Sequence, residues 1–255
     1  MRLMTGLYLP EMARGALERL SGKPVSGLTQ LIWGRPVAVN GKPRDLTFVV
    51  MSDAEGLLYR VEADGDEGSP CHLGSIAFGS ETGEAPKSIA FDEALPGRDV
   101  SDLFRAFAER CAVHSGPPTP EMARVSEVFL EGDVLTARLE SFQSTTPERR
   151  DLLFDPYHLD AIWRLLAFHL GGCVADAGDA NALSFPRSMD SMTGFATAGD
   201  RALVRIVPEP AGPGPVPYAV ELYGTDGAEA LRLEGVRLTA LERSRDIRIR
   251  EDLRS

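Results

Sequence analysis

The most apolar helical pattern in the chain begins after "FDPYH" and ends at two glycines. Its apolar residues recur three or four positions apart, as one face of an α-helix requires: Leu159, Ile162, Trp163, Leu166 and Leu170. Asp155 is placed to cap the first turn, and Pro156 suits the first helical position. Gly171 and Gly172 would end the helix. The pattern predicts a helix over residues 156–170 that is buried along one face.

Two further helical patterns occur, one near the start of the chain and one before its middle. The segment "LPEMARGALERLSG" predicts a helix over residues 10–21 that Gly22 ends. Its predicted apolar face consists of Met12, Ala13, Ala16, Leu17 and Leu20. A shorter amphipathic helix is predicted to start at Ser101. Its predicted buried residues are Leu103, Phe104, Phe107 and Cys111.

Runs typical of β-strands accompany each of the two longer helices. "GLTQLIWGRPVAV", "DLTFVVMS", "GLLYRVEAD" and "CHLGSIAFG" follow the first helix, with turn residues between them. "RVSEVFLEG" and "DVLTARLES" precede the 156–170 helix, and "RALVRIV", "PYAVELYG" and "EALRLEGVRLTAL" follow it. The repeated order predicts an α+β fold of two halves, each with curved antiparallel sheet around a long helix. We expect the two sheets to join edge to edge, because pairing removes exposed edges.

The same pattern sets the predicted domain boundaries. Residues 1–80 form the first half, and residues 101–243 form the second. Between them, residues 81–100 are polar and rich in Gly, Pro and acidic residues, as is typical of a linker. Residues 244–255 form an Arg-rich tail. We interpret it as a solvated end, with a basic handle for an acidic protein partner as the alternative.

Composition narrows the class of protein. The chain has 255 residues, of which 43% are hydrophobic and 25% are charged, the balance of a soluble globular protein. Its net charge of −11 disfavours binding to nucleic acids and to anionic membrane surfaces. No run of about 18 apolar residues occurs, so we expect no membrane span, and the first residues predict no secretion signal. The three dispersed cysteines fit neither a zinc site nor a disulfide framework, so we expect reduced thiols and a cytoplasmic location.

Asp160 is the residue of the 156–170 helix with the most chemical interest. It lies beside the apolar stripe, and Arg164 follows it one turn later. An acid near a helix start is favoured by the helix dipole, and an Asp–Arg pair at this spacing contributes roughly 0.2–0.5 kcal/mol on a surface. A surface pair is the favoured interpretation from these residues alone, and an acid of an active site is the alternative. Both interpretations remain open.

Several strings, in this order, resemble the dehydratase domains of modular polyketide synthases. The strings are "EMARGAL", "LIWGRPVAV", "CHLGSIAFG", "HSGPP", "FDPYHLDAIWRLL" and "LRLEGVRLTALER", and together they cover nearly the whole chain. The resemblance implies an α+β double hot-dog fold. It also implies a dehydratase-like action on a β-hydroxyacyl or polyketide thioester carried by an acyl carrier protein, with other synthase components as partners. A homodimer is left open. The implied elimination needs an acid and a base but no cofactor or metal.

The resemblance assigns candidate catalytic residues on the 156–170 helix. Asp160 falls on the family's catalytic Asp, which protonates the departing β-hydroxyl. Such an acid has to hold a proton, and apolar surroundings raise a carboxyl pKa. Arg164 stands where the family has Gln or His, and we expect its guanidinium to lower the pKa of Asp160. His158 is a candidate substitute base; the alternative is an exposed first-turn histidine.

The sequence also departs from the family pattern. The family base lies in His-x-x-x-Gly-x-x-x-x-Pro, and the ungapped alignment places Thr5-Gly6 where the family has the Pro-Gly that ends this motif. The base is therefore expected before Met1. No histidine of the sequence begins the motif: His72, His114, His158 or His169. Three explanations remain open: a downstream piece of a dehydratase, a relative redirected to isomerisation or cyclisation, or a non-catalytic domain for assembly or binding.

Overall fold

The computed structural model describes residues 2–4, 6–34, 37–39, 44–52, 56–64, 70–78, 85–91, 93–115, 124–140, 152–171, 184–210 and 215–240. The helices in these ranges are α1 (Tyr8–Ser21), α2 (Ser101–Ser115) and α3 (Pro156–Gly171). The strands of the first half are β1 (Arg2–Met4), β2 (Val25–Trp33), β3 (Val37–Val39), β4 (Leu46–Ser52), β5 (Leu57–Ala63) and β6 (His72–Phe78). The remaining strands are β7 (Arg98–Asp99), β8 (Arg124–Glu131), β9 (Val134–Glu140), β10 (Ser184–Gly194), β11 (Arg201–Pro208), β12 (Tyr218–Tyr223) and β13 (Glu229–Ala240).

One antiparallel sheet runs through both halves. Its strand order is β4-β5-β6-β2-β10-β13-β12-β11-β9-β8-β7, and β1 pairs separately with β3. The halves meet where β2 pairs with β10, with Ile32 opposite Ser188 and Gly27 opposite Thr193. The expected edge-to-edge joining of the two sheets is therefore confirmed.

The helix ends follow the capping chemistry of the sequence. The Asp155 carboxylate accepts the Tyr157 backbone N–H at 2.9 Å, which satisfies a free donor of the first turn of α3. Gly22 adopts a φ of 66° at the end of α1 and donates its N–H to the Glu18 carbonyl. Both predicted helices are thus confirmed to within about two residues. No helix among the described residues is long and apolar enough to cross a membrane.

The buried faces of α1 and α2 differ in part from those that the sequence predicts. In α1 the core-facing residues are Leu9, Ala13 and Leu17, which pack towards β2 and β5. Met12 and Leu20 lie 41% and 71% exposed, because a helix packed on one side leaves the next residues around its axis in solvent. In α2, the rings of Phe104 and Phe107 contact Phe168 of α3, with centroids 5.4 and 5.6 Å apart. The predicted core residue Leu103 is instead 51% exposed.

Two strand predictions need correction. The run "GLTQLIWGRPVAV" forms two strands rather than one, since β2 ends before Gly34. The Gly34 N–H donates to the Cys71 carbonyl at 3.0 Å, and a Cβ at this position would lie 2.1 Å from the Pro70 carbonyl oxygen. The second correction is β10, which was not predicted although it joins the halves. Its serines, Asp190 and Pro186 hide the strand pattern, and its core contribution comes chiefly from two methionines, Met189 and Met192.

The described residues of the predicted linker over 81–100 pack against the second half. The Ile89 N–H donates to the Gly227 carbonyl, and the Lys87 N–H donates to the Glu229 carboxylate at 2.8 Å. Phe91 is buried in a small cluster with Leu203 and Tyr223. Further along, β7 pairs with β8 at the sheet edge. Cys173, one of the three cysteines, and the Arg-rich tail lie outside the described residues.

Candidate active site

The first turns of α1 and α3 meet, and this contact joins the two halves of the molecule on the helix side. The buried Glu11 carboxylate of α1 accepts the Phe154 backbone N–H, just before α3, at 2.9 Å. Arg14 holds that carboxylate in place through its Nε, also at 2.9 Å. The Tyr8 ring lies edge-on to the Tyr157 ring, with centroids 6.2 Å apart. We call this contact the α1–α3 junction.

Asp160 and Arg164 form an ion pair beside the junction. Arg164 Nε lies 2.9 Å from Asp160 Oδ2, and the two side chains are 26% and 19% exposed. The predicted one-turn pairing on α3 is therefore present. It is far more buried than an ordinary surface pair such as Asp102–Arg105 of α2, whose side chains are 91% and 65% exposed.

Burial and pairing act on the pKa of Asp160 in opposite directions. Burial raises the pKa of the Asp160 carboxyl, and the charge and hydrogen bond of Arg164 lower it by a smaller amount. The net pKa lies above the ordinary value, because desolvation of the carboxylate is the larger effect. The expected lowering of the pKa by Arg164 is present, but the raising effect of burial outweighs it. Asp160 consequently keeps its proton to a higher pH than an ordinary Asp does.

Tyr8 is a neighbour of Asp160 that sequence reasoning missed. Its hydroxyl is hydrogen-bonded with that of Tyr157, and the charge of Asp160 acts on it across the junction. Burial, this hydrogen bond and the nearby acidic groups raise the pKa of Tyr8 to about 12. Tyr8 is therefore a neutral hydrogen-bonding phenol over the physiological pH range. No spacing in the sequence links it to Asp160, since the two residues belong to different halves.

His158 does not share the face of α3 that carries Asp160. Residues two apart on an α-helix point about 200° away from each other. The His158 side chain is buried rather than exposed, and its Nδ1 lies 3.3 Å from Asp155 Oδ2. The structure therefore places the third predicted site residue with the helix cap and not with the Asp160–Arg164 pair.

The other two histidine side chains that the structure describes, His72 and His169, also make their contacts away from Asp160. His72 Nε2 lies 3.0 Å from the Tyr59 hydroxyl, and its Nδ1 lies 3.0 Å from the Ile32 carbonyl oxygen. Burial lowers the pKa of His72 to about 4. His169 Nε2 lies 2.9 Å from the Asp133 carbonyl oxygen, and burial lowers its pKa as well. Both imidazoles are neutral at neutral pH and serve the packing of their own half.

Two tryptophans connect the start of α1 with α3. Trp33 Nε1 donates to the Gly6 carbonyl at 3.1 Å, and its ring lies 6.0 Å from that of Trp163. Trp163 lies one turn after Asp160 on α3 and is 9% exposed. Its Nε1 is buried and has no hydrogen-bond acceptor within the part of the chain that the structure describes. An indole N–H can only donate a hydrogen bond.

Comparison with known protein families identifies the family of this chain. A model of the family described as the polyketide synthase dehydratase N-terminal domain matches residues 105–248, more than half of the chain. The matched range includes all of α3 with Asp160 and Arg164. The chain therefore belongs to the polyketide synthase dehydratase family, as the sequence resemblance predicted.

Individual relatives agree with this assignment. The polyketide synthase PksM of Bacillus subtilis (strain 168) is 20% identical over 94% of this chain, and the chain spans only 6% of the length of that relative. The dehydratase domain of the CurJ module of the curacin polyketide synthase is 12% identical with a TM-score of 0.74, covering 93% of this chain and 83% of that one. The pyran synthase domain from module nine of the sorangicin pathway is 18% identical with a TM-score of 0.71, covering 94% and 87%. The predicted α+β double hot-dog fold is confirmed.

Proposed function

We propose that this chain is a dehydratase-like component of polyketide biosynthesis that binds a β-hydroxyacyl or polyketide thioester carried by an acyl carrier protein. Asp160 is the acid of the site, and Arg164 sets how readily it releases its proton. The observation that carries the proposal is the half-buried Asp160 with a raised pKa, next to the contact of the two halves. We place the chain in the cytoplasm with other synthase components as partners.

The chemistry defines what this site has to supply. In dehydration a base removes the α-proton, the bond from the β-carbon to oxygen breaks, and an acid protonates the leaving hydroxyl. The products are an enoyl thioester and water. Asp160 is suited to the acid step. The histidines with described side chains are all engaged away from it, so the described residues supply no histidine for the base step. A missing general base typically reduces a rate by about 10²–10⁴-fold.

A second candidate function is cyclisation or isomerisation of the carried polyketide. It is favoured by the fold shared with the sorangicin pyran synthase domain, which spans 94% of this chain. Asp160 and Arg164 would act there as donors to an oxygen of the chain. Binding without turnover is the remaining function of the same site. The product distinguishes these functions: dehydration removes one water, cyclisation or isomerisation keeps the mass, and a binding domain returns the substrate unchanged.

The first prediction concerns Asp160 itself. Asp160→Asn is expected to abolish any conversion that the parent chain performs and to leave the fold intact, since the amide has nearly the same size but donates no acidic proton. The measurement is conversion of carrier-bound 3-hydroxyacyl and enoyl chains, followed by mass and chromatography, with circular dichroism for the fold. Asp102→Asn, in the exposed Asp102–Arg105 pair, is the matched control and should behave like the parent. A full rate in Asp160→Asn would contradict the proposal.

A further inference from the structure

Three residues with hydrogen-bond donors lie in the part of the molecule that holds Asp160. Arg164 approaches it from the next turn of α3, Trp163 is one turn away, and Tyr8 comes from the other half. Arginine and tryptophan side chains only donate, and a phenol both donates and accepts. A site with such an excess of donors suits a ligand that brings oxygen acceptors, such as a hydroxyl or carbonyl group.

The position of Tyr8 is fixed by the α1–α3 junction. Tyr8 and Glu11 are three residues apart and thus lie on the same side of α1. Because Glu11 is bound to the Phe154 N–H at the entry to α3, that side of α1 faces the first turn of α3. The edge-on contact with Tyr157 then sets the Tyr8 ring. Tyr8 remains 38% exposed, so a ligand can reach it without displacing the core.

We infer that Tyr8 is a substrate-binding residue that donates a hydrogen bond to the 3-hydroxyl oxygen of the acyl chain held at Asp160. The edge-on contact with the Tyr157 ring holds the Tyr8 ring in this position. In this arrangement the substrate oxygen lies between residues of both halves, and the site is complete only when α1 and α3 are in contact. The inference rests on the proposed function, since it names a binding residue for the same substrate.

The neutral state of Tyr8 fits this role. The acidic groups that face it are Asp155, Tyr157 and Asp160, and together with burial they disfavour the phenolate. The hydroxyl therefore keeps its proton and donates at any pH at which Asp160 works as an acid. A phenolate in this position would instead repel the developing negative charge on the oxygen.

The test compares binding of two probes, 3-hydroxyhexanoyl pantetheine thioester and hexanoyl pantetheine thioester, by calorimetry. The parent chain should bind the hydroxylated probe more tightly. Tyr8→Phe, which keeps the ring, should weaken binding of the hydroxylated probe by about 3- to 10-fold and leave the other probe unaffected. Met12→Leu, one turn along α1 and also exposed, is the matched control and should bind both probes like the parent.

The outcomes separate the inference from the function on which it rests. If the parent prefers the hydroxylated probe and Tyr8→Phe keeps the full preference, Tyr8 is not the donor and the inference fails alone. Equal weakening of both probes in Tyr8→Phe would likewise overturn it, because a structural role predicts that result. Binding of neither probe by the parent would overturn the proposed function and this inference together.

Discussion

At the scale of single residues, the ion pair with Arg164 limits how far burial raises the pKa of Asp160. Without Arg164, burial would place the pKa of the Asp160 carboxyl higher still, because the guanidinium favours the ionised form. The raised pKa also makes the stability of the folded chain depend on pH. Because the folded chain holds the Asp160 proton more tightly than the unfolded chain, this contribution to stability is present at acidic pH and is lost as the pH rises through the folded pKa.

Replacement of Arg164 tests this balance. Arg164→Gln removes the positive charge and should raise the pKa of Asp160, because burial then acts with less opposition. The pH range in which Asp160 is protonated should extend upwards, and any acid-dependent conversion should extend with it. The measurements are the carboxyl titration of Asp160 by NMR and conversion against pH.

A matched replacement on the surface shows whether the effect belongs to this site. Arg105→Gln breaks the exposed Asp102–Arg105 pair and should leave the Asp160 titration unchanged. A pKa of Asp160 that falls or stays constant in Arg164→Gln would show that the pair does not control the acid.

At the scale of elements, the α1–α3 junction depends on one buried carboxylate. Glu11 binds Arg14 within its own helix and the Phe154 N–H at the entry of α3. A carboxylate accepting a backbone N–H forms a charge-assisted hydrogen bond, which is stronger than a neutral one. The same contact orders the residues that lead into α3 and the side of α1 that carries Tyr8.

Removal of this carboxylate should therefore loosen the junction. Glu11→Ala is expected to lower the free energy of unfolding by about 1–3 kcal/mol, because a buried backbone N–H loses its acceptor. Glu11→Gln keeps an acceptor oxygen and should recover part of the loss. Denaturant unfolding measures both variants, with Glu131→Ala on an exposed strand end as the control. Equal stability of Glu11→Ala and the parent would show that the contact contributes nothing.

The elements also show what the sequence could and could not predict. Helix ends were predictable because Asp155 and Gly22 act locally, through contacts with residues of their own helix. β10 was missed because its polar residues are paired inside a wide sheet, where backbone pairing with β2 and β13 holds a strand of weak pattern. The balance of burial against Arg164 at Asp160 depends on how deeply the site is buried, and the approach of Tyr8 depends on packing between the halves, which no local pattern encodes.

At the scale of the whole molecule, the two halves are joined both through the sheet and through the helices. The β2–β10 pairing makes the sheet continuous, and the α1–α3 junction brings Tyr8 of the first half to Asp160 of the second. The proposed site is thus a property of both halves. The acid comes from α3, while the base that dehydration also needs is not among the described histidines.

The most direct test of this account is the conversion of a 3-hydroxyacyl chain on an acyl carrier protein by the chain alone. The products are followed by mass spectrometry of the carrier-bound chain, and Asp160→Asn is measured in parallel. We expect saturable binding with slow or no loss of water, because no histidine side chain that the structure describes is placed to act as the base, and loss of a general base costs about 10²–10⁴-fold in rate. Rapid conversion to the enoyl chain by this chain alone would contradict it.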